Sequence, residues 1–323
     1  MAHKIVLIDS PLNQNEIARE LVPAGFELTL VRPDAPEFLA AMPDAEYLVG
    51  FGDPSVNDAF YKRAPNLKLV QLTSAGYDRC DIEAARRAGV PICNNGGANA
   101  TAVAEHALML MLAVSRRLVW QHENVAAGRW RGNDFSQARM LELRDRTLGV
   151  IGLGTIGRKV ARLAQAFGMR VQYYDVLRLS EEQEDALDVR FRLMHEILRS
   201  SDLVSLHVPL LPATRHMIGA AELKLMKPSA YLINTCRGPV VDEPALIEAL
   251  GNAAIAGAGL DVFDREPPAA DNPLFSLPNV VLTAHLAGPT YDNQYHRFRN
   301  AFDNCQRVSR GETPLWIIPE LRG

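Results

Sequence analysis

No pair of cysteines in this 323-residue chain stands at a metal-binding or redox spacing; Cys80, Cys93, Cys236 and Cys305 are scattered, with no C-x-x-C and no His/Cys cluster. They read as small buried apolar side chains, so no metal is expected and a reducing, cytoplasmic setting is. Long apolar runs are also missing. The longest, residues 107–114, is closed off by His106 and by Ser115, Arg116 and Arg117, far short of the roughly 20 residues that cross a bilayer. No secretory leader is expected, because Met-Ala-His-Lys runs straight into the strand-like residues 5–8. Excess positive charge is lacking too: the formal net charge is -4, which argues against a nucleic-acid partner. Low-complexity tracts and short-period repeats are absent. What remains, 48% apolar and 22% charged residues, suits about two globular domains.

Strand-length apolar runs at 5–8, 26–31, 47–51, 67–72 and 90–93 alternate with helical segments at 14–21, 56–63 and 82–87. Such alternation predicts a parallel sheet with helices on its faces. A single helix is expected from about residue 99 to 119, with Val103, Ala104, Ala107, Leu108, Met111, Leu112 and Val114 covering most of its circumference. A helix apolar nearly all round must be buried on several sides, between domains or at a subunit interface. Residues 128–133 place Trp130 between Arg129 and Arg131 and read as an exposed arm that needs a partner surface. Six more strands are expected at 147–151, 170–174, 203–206, 230–234, 255–260 and 280–282, with helices at 156–167, 193–199, 220–226 and 243–250. Asp242 and Pro244 supply the cap and first turn of the last of these. A final helical pattern at 293–308 follows the completed sheet and is expected to return to the first domain.

The strongest local signal is the mid-chain turn Gly-Leu-Gly-Thr-Ile-Gly at residues 152–157, which follows the apolar run 147–151 and opens a helical pattern. That context separates a dinucleotide site from a chance G-x-G-x-x-G. Gly152 permits the tight turn, Gly154 lets backbone approach a pyrophosphate, and Gly157 lets helix pack closely on strand. Asp175 ends the next strand, 18 residues beyond Gly157, where a carboxylate bonds an adenosine ribose and repels the extra phosphate of NADP. NAD is therefore expected over NADP, although Arg178 lies close by.

Later strands end on polar residues where a coenzyme crevice would lie: His207 with Pro209, Thr235 with Arg237, Asp261, and His285. Arg237 can bind a substrate carboxylate in forked geometry, although an arginine after a strand is by itself more often a solvated charge. His285 can deliver a proton to a carbonyl oxygen, although a lone histidine there is usually structural. Glu266 could hold the other imidazole nitrogen, with Asp264 as a weaker competitor.

Together these residues resemble the D-isomer-specific 2-hydroxyacid dehydrogenase family. The resemblance is carried by residues 74–78 (Ser-Ala-Gly-Tyr-Asp), 94–106, 149–157, 207–209, 234–242, 259–263, Glu266-Pro267 and 285–290, and it covers nearly the whole chain. It implies an α/β architecture: a Rossmann-type doubly wound parallel sheet, the coenzyme domain at 99–289, inserted into a flavodoxin-like substrate domain at 1–98 plus 290–323. It implies that Arg237 binds the carboxylate and carbonyl oxygens of a small 2-oxoacid, that His285 is the general acid/base, and that Glu266 orients it. Ser74, Ala75 and Gly76 would hold the substrate carboxylate through backbone amides. Gly152, Gly154, Thr155, Ile156, Gly157, Asp175, His207, Pro209, Thr214, Thr235, Cys236, Asp261 and Gly288 would contact the coenzyme. Family members are commonly homodimers that close a cleft between domains during catalysis.

One departure stands out: Ala284 precedes the histidine where the family often has proline, with Pro289 a few residues later, which bears on loop geometry and substrate shape. Because the sequence ends at Gly323, the short glyoxylate and hydroxypyruvate reductase types are favoured. Two other readings stay open. One is oxidation of another small anion, such as phosphite; the other is an NAD-sensing interaction protein of corepressor type, in which the chemistry is incidental.

Overall fold

The computed structural model describes residues 2–131 and 138–322. The chain divides into two compact units, Met1–Asn99 with Gly288–Gly323, and Ala100–Ala287.

In the first unit β1 (His3–Ile8), α1 (Asn15–Leu21), β2 (Phe26–Val31), α2 (Pro36–Ala41), β3 (Tyr47–Gly50), α3 (Asp58–Arg63), β4 (Leu69–Leu72), α4 (Ile82–Ala88) and β5 (Ile92–Cys93) alternate along the chain. The strands form one parallel sheet in the order β2-β1-β3-β4-β5, the flavodoxin-like order. β3 and β4 are buried at every position, which is why they read as predominantly apolar runs, with Gln71 the one buried polar side chain in β4. Local chemistry sets the helix ends: Asn57 accepts the N–H groups of Ala59 and Phe60 to start α3, and Asp81 accepts that of Ala84 to start α4. The last helix, Tyr291–Ser309, belongs to this unit and packs Phe298, Ala301, Phe302 and Cys305 against Ile5, Leu7, Tyr47 and Leu69.

The second unit opens with two helices, α5 (Ala100–Ser115) and α6 (Leu118–Ala126), where the apolar pattern predicts one. The break falls on the polar triplet Ser115, Arg116 and Arg117. Leu141 donates its N–H to the Ser115 carbonyl, which the helix would otherwise use, and Arg117 takes a left-handed conformation at φ 50°. Trp130 is 79% exposed, so the described part of the expected arm does present an apolar ring; its residues 132 and 133 lie outside the described residues.

β6 (Thr147–Ile151), α7 (Thr155–Ala166), β7 (Arg170–Tyr174), α8 (Glu181–Leu187), β8 (Val189–Phe191), α9 (Met194–Ser200), β9 (Leu203–Leu206), α10 (Ala220–Leu225), β10 (Tyr231–Asn234), α11 (Glu243–Gly251), β11 (Gly257–Leu260) and β12 (Val280–Leu282) follow. Their sheet is parallel throughout and has seven strands, one more than expected, in the order β12-β11-β10-β9-β6-β7-β8. The additional strand is β8, whose three residues include a central arginine and so carry no apolar run. This is the Rossmann order with one further strand beyond β11, and the order in which strands are added to the sheet reverses between β6 and β9. In an open parallel sheet a ligand crevice is expected at such a reversal, beyond the carboxyl ends of these two strands. Asp242 accepts the Ala245 N–H as cap of α11, as the sequence predicts. Among the described residues no helix is long and apolar enough to cross a membrane, and no three His, Cys, Asp or Glu side chains group as metal ligands.

Candidate active site

The glycine turn joins β6 to α7 at the reversal point. Gly152 has φ 94°, and a Cβ there would lie 2.7 Å from the His207 carbonyl group. A Cβ on Gly157 would collide with the Gly152 carbonyl oxygen, so helix and strand approach as only glycine allows. Gly154 differs: nothing lies within 4 Å of its Cβ position. It caps α7 with no side-chain bond, and it and Thr155 are exposed, so no side chain covers the positive helix end. Asp175, just past β7, accepts the Leu153 N–H at 2.7 Å on one oxygen and the Leu177 N–H at 3.0 Å on the other. At the end of β10 the hydroxyl of Thr235 is buried without a hydrogen-bond partner. An open glycine, an uncapped helix end, a strand-end carboxylate and an orphan hydroxyl together fit a dinucleotide in this crevice.

The loops after β9 and β10 are fixed by their own side chains. His207 pairs with Ser205 Oγ at 2.8 Å, and burial pushes its imidazole down to about 3, so it is neutral at physiological pH. Thr214 Oγ1 donates to the Pro209 carbonyl at 2.6 Å and accepts the Leu211 N–H at 2.8 Å. Asn234 accepts the Cys236 N–H at 3.0 Å and donates to the Arg237 carbonyl at 3.0 Å. Burial pushes the Cys236 thiol up to about 11, so it stays protonated. Gly238 lets the Arg237 loop lie against the Phe263 and Asp264 backbone, where a Cβ would overlap the Phe263 carbonyl.

His285 and Glu266 meet across adjacent loops, His285 Nδ1 to Glu266 Oε2 at 2.7 Å. Glu266 also accepts the Phe263 N–H at 3.1 Å. Burial alone would raise the Glu266 carboxyl; the bond and charge of His285, the Phe263 N–H and the Arg237 charge outweigh it and hold the group below the usual carboxylate range. Asp264, the weaker competitor, stands 3.9 Å from His216 instead. The carboxylate therefore accepts the Nδ1 proton, which sets the tautomer of a neutral imidazole with its lone pair on Nε2.

The loop holding His285 is left-handed at that residue, φ 55°, a conformation that costs a non-glycine residue about 1–3 kcal/mol. Asp261 offsets the cost. Its carbonyl accepts the His285 N–H at 2.7 Å, and its fully buried carboxylate accepts the N–H groups of Leu286 at 2.9 Å and Ala287 at 3.0 Å. Thr283 Oγ1 donates to the same carboxylate at 2.6 Å. That hydroxyl has spent its proton, so it accepts from His106 Nε2 at 2.9 Å, which fixes the tautomer of His106. The loop is thus shaped by Asp261 with Ala284 in the place of proline. His106 and Thr283 were not legible as site residues; their only signal is position, on α5 and two residues before His285.

The second unit thus assembles Arg237, Glu266, His285, Asp261 and the coenzyme crevice. Ser74, Ala75, Gly76 and Gly288 lie in the first unit. There Ser74 Oγ donates to the Gly76 carbonyl at 2.8 Å, Asn94 donates to that of Ala75 at 3.4 Å, and the Gly288 carbonyl accepts from Asn293 at 2.7 Å.

Residues 108–287 match the family model described as D-isomer specific 2-hydroxyacid dehydrogenase, NAD binding domain. A glyoxylate reductase of Korarchaeum cryptofilum is 39% identical over 299 residues, 91% of this chain and 90% of the relative. Among solved structures, a glyoxylate reductase from Paecilomyes thermophila superposes with a TM-score of 0.85 at 29% identity, covering 99% of both chains. The NADPH-dependent glyoxylate/hydroxypyruvate reductase from Sinorhizobium meliloti, in complex with NADP and malonate, gives 0.85 at 29% identity over 99% of this chain and 98% of that one. The chain belongs to the D-isomer specific 2-hydroxyacid dehydrogenase family. It is an oxidoreductase that transfers hydride between a nicotinamide coenzyme and a 2-oxoacid/2-hydroxyacid pair.

Proposed function

We propose that this protein reduces small 2-oxoacids of the glyoxylate and hydroxypyruvate type with NADH, giving 2-hydroxyacids of D configuration. The nicotinamide supplies the hydride, and the chain's own residues bind, orient and protonate. The observation that carries this reading is the 2.7 Å bond between His285 Nδ1 and Glu266 Oε2. It fixes the tautomer and leaves Nε2 to give a proton to the carbonyl oxygen in reduction and to take it back in oxidation. Glu266 stays ionised and stabilises the imidazolium.

Arg237, carried beside this pair by the Asn234-stapled loop, binds the substrate carboxylate and polarises the carbonyl. In the first unit, the Ser74, Ala75 and Gly76 segment offers backbone amides of its own to a carboxylate. In the crevice, Gly152, Gly154, Thr155, Ile156 and Gly157 take the pyrophosphate. Thr235, Cys236, Pro209, Thr214, His207 and Asp261 line the coenzyme's path, His207 by backbone contact and Asp261 through the loop it shapes. Asp175 accepts the ribose hydroxyls on lone pairs that its two N–H bonds leave over, and its charge disfavours a 2′-phosphate.

Initial rates with glyoxylate, hydroxypyruvate, pyruvate and phosphite, each with the reduced or oxidised forms of both coenzymes, test the reading. The expected result is turnover of glyoxylate or hydroxypyruvate with kcat/KM for NADH at least about tenfold above NADPH, a difference of about 1.4 kcal/mol. Turnover of phosphite alone, or equal use of the two coenzymes, would overturn the substrate or the coenzyme part respectively.

A further inference from the structure

The expected coenzyme preference leaves Arg178 unexplained, because an arginine in the loop after β7 is the residue type that accommodates a 2′-phosphate. Arg178 follows Asp175 by three positions. Its guanidinium is engaged elsewhere: Nε lies 3.3 Å from Glu184 Oε1, and Cζ stacks 5.0 Å above the centroid of Phe191.

Glu184, on α8, is 5% exposed, an unusual place for a carboxylate. Three donors compensate its burial: Arg178, the Tyr173 hydroxyl at 3.1 Å and the Phe191 N–H at 3.4 Å. Tyr173 OH in turn accepts the Leu179 N–H at 2.9 Å. The Asp175–Leu179 segment is therefore fastened at both ends. Asp175 ties its start to the glycine turn, and Glu184 ties its end through Tyr173 while holding the side chain of Arg178.

The same α8 and β8 that the apolar pattern misses thus carry a charge aimed at the one cation in this loop. Breaking the pair from the Glu184 side would leave a buried acceptor unsatisfied, so the guanidinium is retained there.

We propose that Glu184 is a specificity-determining residue, which enforces the choice of NADH by keeping the Arg178 guanidinium on itself and on Phe191 and so withholding it from a coenzyme 2′-phosphate. The proposal rests on the NADH reading above and deepens it: Asp175 repels the phosphate, and Glu184 removes the cation that would otherwise attract it.

The test is equilibrium binding of NADH and NADPH to the wild type, Glu184→Gln, Arg178→Ala and the double variant, with thermal melting to establish folding. Glutamine keeps the acceptor for Tyr173 but not the charge. Glu184→Gln is expected to tighten NADPH about fivefold with NADH unchanged, the size of a charge-assisted hydrogen bond partly screened by solvent. Arg178→Ala alone is expected to leave the NADPH:NADH ratio within about twofold of wild type, and the double variant to lose the gain. An unchanged ratio in folded Glu184→Gln, or a gain that survives in the double variant, would overturn the proposal. Should Glu184→Gln not fold, Arg178→Ala decides: a fivefold loss of NADPH affinity would mean that Arg178 already serves the phosphate, and an unchanged ratio supports its sequestration. Equal affinity for NADH and NADPH in the wild type would instead defeat the coenzyme reading itself, a result separate from any response to Glu184.

Discussion

Replacing His285 by glutamine is expected to lower kcat for glyoxylate reduction by about 10²–10⁴-fold while NADH affinity stays within about twofold. The side chain is 44% exposed and makes its 2.7 Å bond at Nδ1, so its removal takes away the proton carrier and leaves the coenzyme crevice intact. Glu266→Gln is the companion experiment. The wild-type carboxyl is held below its ordinary value, so it stays ionised as pH falls from neutrality and takes a proton only when pH passes below that lowered value. In the wild type, the acid-side loss of kcat attributable to Glu266 is therefore expected below the usual carboxylate range of about 4.3. Glu266→Gln should lack that limb and run about tenfold or more slower at every pH. A limb at pH 5 or above in the wild type, or one unchanged in Glu266→Gln, would contradict the assigned role. Retained turnover in His285→Gln would remove the histidine from the chemistry altogether.

The second large effect is expected at the glycine turn, where two alanine substitutions separate packing from coenzyme access. In Gly157→Ala the new methyl meets the Gly152 carbonyl oxygen, which is backbone, and Val150 Cγ1 at 3.2 Å. Helix α7 must move off β6, at a cost of about 1–3 kcal/mol for overpacking, and the pyrophosphate site moves with it. A lower Tm and a loss of NADH affinity of about 100-fold are expected together. Gly154→Ala adds its methyl to open space, so stability should stay within about 0.5 kcal/mol of wild type while NADH affinity falls, because the methyl fills the room that a pyrophosphate needs. Calorimetry and fluorescence titration of both variants check the pair. Equal destabilisation by the two, or NADH affinity unaffected in Gly154→Ala, would contradict this placement of the coenzyme.

Much of the architecture was legible because parallel strands buried on both faces are predominantly apolar, as in β3, β4, β9 and β10, with Gln71, Ser205 and Asn234 as buried polar positions in the last three. β8 left no such run, since its Val-Arg-Phe lies at the sheet edge within a charged stretch. Its helix α8 did leave a signal in the capping box of Ser180 and Gln183, which a search for apolar periodicity passes over. The break between α5 and α6 was illegible for another reason. It depends on Leu141, 26 positions after Ser115, taking a carbonyl that the helix would have used.

At the site, the residue types of Arg237, Glu266 and His285 could be read from their positions after strands. The pairing of His285 with Glu266 was expected, with Asp264 of the same loop as the weaker competitor, and the loop brings Glu266 to 2.7 Å from His285 while Asp264 faces His216. Asp261 was read as a coenzyme contact; the structure shows its carboxylate occupied by the N–H groups of Leu286 and Ala287 and the hydroxyl of Thr283. Its action on the site is through the shape of the His285 loop.

Under the proposed function these residues direct hydride and proton to a 2-oxoacid in one fixed orientation, and the chirality of the product reports that orientation. Reduction of hydroxypyruvate with NADH, followed by chiral separation of the glycerate formed, is predicted to give the D enantiomer alone. Formation of L-glycerate, or of a racemic mixture, would contradict the account.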